Sequence, residues 1–156
     1  MTRILAAVDL STDSLRVVDA AADYAKRLNA ELTIIHVTGD VGESELPVVP
    51  PAPEVGIVAA AQPDREEIAA EIREAHREVQ SLGDRARATG IAAEALLIQG
   101  LPSEKIAQQV EKLEPEFLVM AAHESSFLRD LLFGSVSEQL IGKVSCPVML
   151  LPVAKD

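Results

Sequence analysis

The sequence has little of several residue types, and each shortage limits the folds that the chain can adopt. Its 156 residues include one cysteine, no tryptophan, one tyrosine and three phenylalanines. The single cysteine, Cys146, cannot form an intrachain disulfide, and we interpret it as a small buried apolar side chain. Because 48% of the chain is apolar but only 3% is aromatic, alanine, valine, leucine and isoleucine must build the core. Such a core suits helices packed on a parallel sheet.

Basic residues are scarce too, and they form no run. The 14 basic and 25 acidic side chains give a net charge of −11. Because phosphate contacts need clustered lysine and arginine, this balance argues against a nucleic-acid partner. The apolar run at residues 4–8 is too short for the core of a signal peptide or for a bilayer span. We therefore expect a cytoplasmic protein that binds neither nucleic acid nor membrane.

Short apolar runs alternate with helical patterns along the chain. The runs predict five strands, at residues 4–8, 32–37, 95–98, 117–121 and 147–151. Apolar residues spaced by three and four predict helices over residues 13–28, from 63 to about 90, over 102–114, and from 134 onward. This alternation is typical of an α/β fold, an open parallel sheet with helices on both faces.

Three details of the helices follow from local chemistry. Leu15 and Val18 share the predicted inward face of the first helix, together with Ala21, Ala22 and Ala25. Asn29 suits the end of that helix because asparagine tolerates the left-handed conformation. Gly83 is expected to weaken the second helix by about 1 kcal/mol relative to alanine.

Residues 38–62 interrupt this alternation. They include four prolines and three glycines, so no regular element is expected through most of the segment. We predict a single domain over residues 1–156 that contains this proline-rich loop. A loop of such length is either a variable insertion or a functional segment.

Polar residues follow several of the predicted strands, where ligands bind in open parallel sheets. The candidates at these strand ends are Asp9, His36 with Val37, Gly100, and residues 121–124. Asp9 has two interpretations, a ligand contact or a carboxylate that caps the next turn. Gly134 and Ser135 open the last helix, where free N–H groups form either an anion site or an ordinary helix start.

Several segments together resemble the universal stress protein family, in order and nearly end to end. They are Val8-Asp9, Ile-His-Val at 35–37, Gly-Leu-Pro-Ser-Glu-Lys-Ile at 100–106, Phe-Leu-Val-Met at 117–120, Leu-Leu-Phe-Gly-Ser-Val at 131–136, and Cys-Pro-Val at 146–148. The resemblance implies a Rossmann-like sheet of the adenine-nucleotide alpha-hydrolase kind, with five parallel strands in the order 3-2-1-4-5. It also implies a dimer, and ATP at the carboxyl ends of the strands in some members.

The ATP-binding members of that family carry a Gly-x2-Gly-x9-Gly-[Ser/Thr] pattern after the fourth strand. Aligned on Met120 and Gly134, this chain has Ala121 and Glu124 at the first two glycine positions. Glu124 would place a negative charge near the triphosphate. Two unit charges about 4 Å apart repel by about 4 kcal/mol at an effective dielectric constant near 20, or about a thousandfold in affinity.

The same matching assigns the remaining candidate site residues. Asp9 and Val37 stand where binding members contact ribose and adenine, whereas Gly134, Ser135 and Val136 stand where they contact phosphate. Met120 and Ala121 lie between these two groups in the pattern. The adenosine half of the site is therefore expected to be more intact than the triphosphate half.

Neither a metal site nor a catalytic set is expected. The histidines, His36, His76 and His123, lie on separate elements, without cysteines or carboxylates at metal-ligand spacing. We interpret them as structural or solvated. No Walker loop, Ser-His-Asp order or pair of catalytic carboxylates is present.

These observations lead to one hypothesis and one alternative. The first is a non-enzymatic stress-response protein with weakened or absent ATP binding and no cofactor, acting as a dimer and through a protein partner. The alternative is a regulatory switch of the same family that binds ATP or AMP.

The homodimer is expected to form through the C-terminal strand, residues 147–153, because an apolar edge strand needs a cover. Lysine at Met149 or Leu151 is expected to disturb this contact, although one face of the strand should point into the core.

Overall fold

A computed structural model describes residues 1–39, 65–122 and 138–152 of the chain. The strands are β1 (Arg3–Ala7), β2 (Glu31–Thr38), β3 (Ala93–Gln99), β4 (Phe117–Ala122) and β5 (Val148–Pro152). The helices are α1 (Ser14–Leu28), α2 (Arg65–Arg87), α3 (Pro102–Leu113) and α4 (Glu138–Lys143). Each predicted strand is confirmed to within two residues. Most of the predicted proline-rich loop, from residue 40 onward, lies outside the described residues.

The five strands form one parallel sheet in the order β3-β2-β1-β4-β5, as predicted. Central strand β1 is in register with both neighbours, with Ala6 opposite Ile34 of β2 and Val119 of β4. Residues 4–7 of this strand are all buried, which explains why its sequence is continuously apolar rather than alternating.

Helices cover both faces of the sheet, and each face has its own core. On the face of α1 and α2, a main cluster includes Val18, Ala22, Ile34 and Val79. On the face of α3 and α4, a second cluster includes Leu5, Ile35, Ile106, Leu118 and Leu140. Ile34 and Ile35 belong to different clusters because successive strand side chains point to opposite faces.

Helix α1 ends as predicted, and Val18, Ala21, Ala22 and Ala25 are buried as predicted, but Leu15 is not. Asn29 adopts the left-handed conformation at φ 51°, and its N–H bonds the carbonyls of the last turn. The prediction that Leu15 faces inward is wrong, because its side chain is 48% exposed. Ser14 and Val17 take the buried positions instead. The hydroxyl of the buried Ser14 donates a hydrogen bond to Asp9 at 3.5 Å.

Gly83 has a packing role that helix propensity did not reveal. It is buried where α2 crosses β3, and a Cβ atom built on it would lie 3.0 Å from the Cβ of Ala95 and 3.1 Å from Nη1 of Arg87. The absent side chain therefore allows the helix to approach the sheet closely.

Alanine at Gly83 is expected to lower the free energy of unfolding by about 1 kcal/mol, because overpacking outweighs the gain in helix propensity. Gly142 is the matched control, since it lies in α4 and a Cβ atom added there would meet nothing within 4 Å. Gly142→Ala should raise the unfolding free energy by about 0.5–1 kcal/mol. Urea denaturation measures both variants. Equal stabilisation by the two would contradict the close packing at Gly83.

Candidate functional site

The switch point of the sheet lies between β1 and β4. Strand β2 follows β1 on one side and β4 pairs with it on the other, so the order of the strands reverses there. Ligands of open parallel sheets bind beyond the carboxyl ends of the strands at such a point. Asp9 follows β1, Val37 lies near the end of β2, and Met120 and Ala121 lie near the end of β4. The structure thus brings these four predicted site residues to one edge of the sheet.

Asp9 organises the turn between β1 and α1. Its carboxylate atom Oδ1 accepts a hydrogen bond from the backbone N–H of Ser11 at 3.0 Å and one from the hydroxyl of Ser14 at 3.5 Å. The turn-capping interpretation of Asp9 is therefore confirmed. Asp9 is also exposed, at the switch point of the sheet.

Leu10, the next residue, was missed by sequence reasoning. Its backbone lies in the left-handed region at φ 60°, a conformation that costs a non-glycine residue about 1–3 kcal/mol. The half-buried Leu10 side chain packs against the main cluster, which together with the Asp9 hydrogen bonds holds the turn in place. Leucine carries no local signal for this conformation, so the sequence could not have indicated it.

His36 ties the ends of β1 and β2 together. Its ring atom Nδ1 lies 2.7 Å from the carbonyl oxygen of Val8 and donates to it, while the N–H of Val8 donates to the carbonyl of Ile35 at 2.9 Å. The structural interpretation of His36 is thereby confirmed. A further hydrogen bond at this edge joins β3 to β2, since the N–H of Gly100 donates to the carbonyl of Thr38 at 3.0 Å. The φ of Gly100 is +139°, a value that favours glycine.

Val37, Met120 and Ala121 are half-buried around the switch point. Val37 and Met120 pack against the second cluster, whereas Ala121 packs against the main cluster on the opposite face. Ala121 pairs with Leu151 of β5, and its φ is not positive. The alanine at this position therefore carries no backbone strain, although binding members of the family have glycine there.

The triphosphate half of the predicted site lies outside the described residues. This applies to Glu124, Gly134, Ser135 and Val136, and also to His123. Their assignment stays a prediction from the sequence pattern.

In the described part of the chain, no group of three or more histidine, cysteine, aspartate or glutamate side chains could hold a metal ion. Cys146 is half-buried against the second cluster rather than fully buried as expected. Burial raises the pKa of its thiol, which lowers the thiolate fraction at neutral pH and makes it a poor nucleophile. None of the described helices is long and apolar enough to span a bilayer.

A parallel sheet of this order, with helices on both faces, defines a Rossmann-like α/β protein. Comparison with known families identifies it further. The model of the universal stress protein family matches residues 1–152, and the chain belongs to that family.

Two curated relatives from Bacillus subtilis match most of the chain. Universal stress protein YxiE is 28% identical over 149 residues, which cover 95% of this chain and 97% of the relative. Stress response protein NhaX is also 28% identical, with 95% of this chain and 96% of the relative covered.

Solved structures with the same fold include three nucleotide complexes. A universal stress protein in complex with cAMP has a TM-score of 0.69 at 19% identity, with 98% of each chain covered. One from Archaeoglobus fulgidus in complex with dAMP has a TM-score of 0.64 at 20% identity, covering 96% of this chain and 97% of the other. One from Arabidopsis thaliana with AMP bound has a TM-score of 0.61 at 20% identity, covering 100% and 94%. At these identities the likeness shows the shared fold.

Proposed function

We propose that this family member is a non-enzymatic stress-response protein whose switch point binds ATP weakly or not at all. The observation that carries the proposal is the contrast between the two halves of the site. Asp9, Val37 and Met120 gather at one sheet edge, as an adenosine pocket requires, whereas the sequence places Glu124 where a triphosphate would approach. A carboxylate in that position disfavours a polyanion and leaves a nucleoside less affected.

The absence of an assembled catalytic set in the described residues supports a non-enzymatic role. His36 is committed to the backbone of β1, and the Cys146 thiol is kept protonated by burial. A protonated thiol is a poor nucleophile, and among the described residues no serine or cysteine is hydrogen-bonded to His36 as an activated nucleophile would be.

A second candidate function is a switch that responds to an adenosine monophosphate. It is favoured by the three structurally similar proteins that hold cAMP, dAMP and AMP, because these ligands lack the triphosphate that Glu124 would repel. Calorimetric titration of the wild-type chain with adenosine, AMP and ATP separates the two candidates. Binding of adenosine and AMP but not ATP supports the monophosphate switch, and binding of none supports the first candidate. Micromolar binding of ATP contradicts the first candidate and supports a switch that binds ATP.

Two substitutions of Asp9 distinguish its hydrogen bonds within the turn from a contact with a bound nucleotide. Asp9→Asn keeps an acceptor oxygen for Ser11 and Ser14, so we expect its unfolding free energy to stay within about 0.5 kcal/mol of wild type. Asp9→Ala removes that acceptor and should cost about 1–2 kcal/mol, since the buried Ser14 hydroxyl loses its partner.

If the switch point binds AMP, Asp9→Asn should weaken that binding about tenfold, because hydrogen bonds to a charged group are worth about 1.5–3 kcal/mol. Calorimetry and thermal unfolding of the same samples check both expectations. Unchanged AMP affinity in a stable Asp9→Asn variant would assign Asp9 to the turn alone.

We further propose that the protein acts as a cytoplasmic homodimer through β5 and engages a protein partner. Strand β5 is an edge of the sheet, and residues 148–151 are all apolar and half-buried. Exposed apolar edges are generally covered in stable proteins. A second copy of the same strand would provide such a cover with one self-complementary patch.

A further inference from the structure

A cavity lies away from the switch point, at the carboxyl end of edge strand β3. It has a volume of about 670 Å³ and is lined by Ile72, Arg73, His76 and Arg77 of α2 and by Leu97 and Gln99 of β3. Strand β2 separates β3 from β1, so this cavity lies apart from Asp9 along the carboxyl edge of the sheet. Its volume lies within the range of about 300–1,000 Å³ that is typical of small-molecule pockets.

Three basic side chains stand together on the helix wall of this cavity. Arg73, His76 and Arg77 are exposed and occupy positions i, i+3 and i+4, which are neighbours on one helical face. Like charges at i and i+4 repel each other and weaken a helix. The arrangement therefore does not help α2 to fold, and a bound anion would relieve the repulsion.

No carboxylate neutralises the two arginines among the described residues. Four other arginines, Arg3, Arg27, Arg85 and Arg87, each pair with an aspartate or glutamate, whereas Arg73 and Arg77 do not. The helix offers Arg73 no acid either, since its neighbours three and four residues away are Ala69, Ala70, His76 and Arg77. In a chain with a net charge of −11, such a pair leaves a local positive field.

The nearest acids on α2 are Glu74, which lies three residues before Arg77, and Glu78, which directly follows it. Glu74 and Glu78 line a separate cavity of about 500 Å³, which Ser11 and Ser14 border from the side of α1. Arg77 borders both cavities, whereas Arg73 borders only the one at β3. Arg73 thus faces the β3 cavity away from these acids, whereas Arg77 lies between them and that cavity.

The remaining wall is largely apolar. Ile72 and Leu97 are half-buried, Leu97 packs against the main cluster, and the exposed amide of Gln99 stands at the end of β3. A ligand that fits must combine a compact apolar body with a negatively charged group. We propose that this cavity binds a small organic anion, with its carboxylate, sulfonate or phosphate group held by the guanidinium groups of Arg73 and Arg77. Arginine suits this role because its planar donors bind such oxygens in pairs.

The test uses 8-anilinonaphthalene-1-sulfonate as an apolar anion, and N-phenyl-1-naphthylamine as an uncharged probe with the same ring system. Wild type should bind one equivalent of the sulfonate, and Arg73→Gln with Arg77→Gln should weaken that binding at least tenfold. Affinity for the uncharged probe should change less than twofold. The matched control is Arg16→Gln with Arg65→Gln, because these exposed arginines are also unpaired among the described residues and border neither cavity. It should keep the affinity for the sulfonate within twofold.

Competition locates the site and identifies the charged group. Benzoate and phenyl phosphate are offered as competitors, and displacement by one of them names a carboxylate or a phosphate as the preferred group. Adenosine should not displace the sulfonate, and Asp9→Asn should not weaken its binding. The proposal is overturned if wild type binds no better than the double arginine variant, if adenosine displaces the probe, or if neither small anion competes. Circular dichroism of each variant verifies that the fold is intact.

Discussion

Glu124→Gly is expected to raise the affinity for ATP by up to about a thousandfold. This gain corresponds to the repulsion of about 4 kcal/mol between two unit charges about 4 Å apart at an effective dielectric constant near 20. Rotation of the glutamate into water or recruitment of Mg²⁺ would reduce the gain, so a tenfold increase is the smallest result that supports the prediction. Calorimetric titration with and without Mg²⁺ measures it.

The structure changes what is expected of the second substitution, Ala121→Gly. Ala121 lies in β4 without positive φ, and its side chain packs against the main cluster. Glycine there should add little affinity and should lower the unfolding free energy by about 0.5–1 kcal/mol through backbone entropy.

Glu124→Gln is the control for charge, because it keeps the size of the side chain. If charge is the obstacle, the glutamine variant should recover most of the gain seen with glycine. If only the glycine variant gains affinity, bulk rather than charge blocks the phosphates. An unchanged affinity for ATP in both variants would show that Glu124 is not the obstacle.

Leu150→Lys is expected to dissociate the proposed homodimer. In a twofold contact each substitution occurs twice, so two lysines would come close together across the axis. Like charges opposed across paired strands cost about 0.2–1 kcal/mol, and the loss of apolar contact adds about 1 kcal/mol or more. Together these effects should raise the dissociation constant at least tenfold.

The choice of Leu150 corrects the choice of residues made from the sequence. Met149 and Leu151, which the sequence suggested, both pack against the main cluster, so lysine at either should destabilise the monomer. Leu150 is half-buried and belongs to neither cluster. Lysine at position 150 should therefore affect the dimer contact more selectively than lysine at position 149 or 151, which would also destabilise the monomer.

Sedimentation velocity at micromolar concentration measures the effect on assembly. Ala92→Lys is a suitable control, because Ala92 is exposed beside the opposite edge strand, β3. A folded, monomeric wild-type chain would reject the homodimer. A dimer that persists in folded Leu150→Lys would place the contact elsewhere.

Most elements of the fold could be predicted because their signals are local. Continuous apolar runs indicated β1, which is buried on both faces, and β4, which is buried at Leu118 and Val119. Asn29 and Pro102 marked a helix end and a helix start. The strand order came from the family resemblance rather than from the residues alone, since alternation of strands and helices does not by itself specify which strands are neighbours.

The candidate site could be predicted only in part. The strand ends that carry Asp9 and Val37 were apparent, because ligand edges of parallel sheets follow from topology. The hydrogen bond from Ser14 to Asp9 and the left-handed backbone of Leu10 were not apparent, since both depend on how the β1–α1 turn packs against α1 and the main cluster.

The sequence by itself determined the class of fold and the approximate bounds of the elements, because periodicity and capping are properties of neighbouring residues. It also placed an acidic residue, Glu124, at the second glycine position of the family pattern. Tertiary structure alone decided that Leu15 is exposed, that Gly83 admits the close approach of α2 to β3, and that Arg73 and Arg77 meet Leu97 and Gln99 in one cavity. These outcomes depend on the rotation and separation of packed elements. Residues far apart in the chain set both quantities, through contacts that no local pattern records.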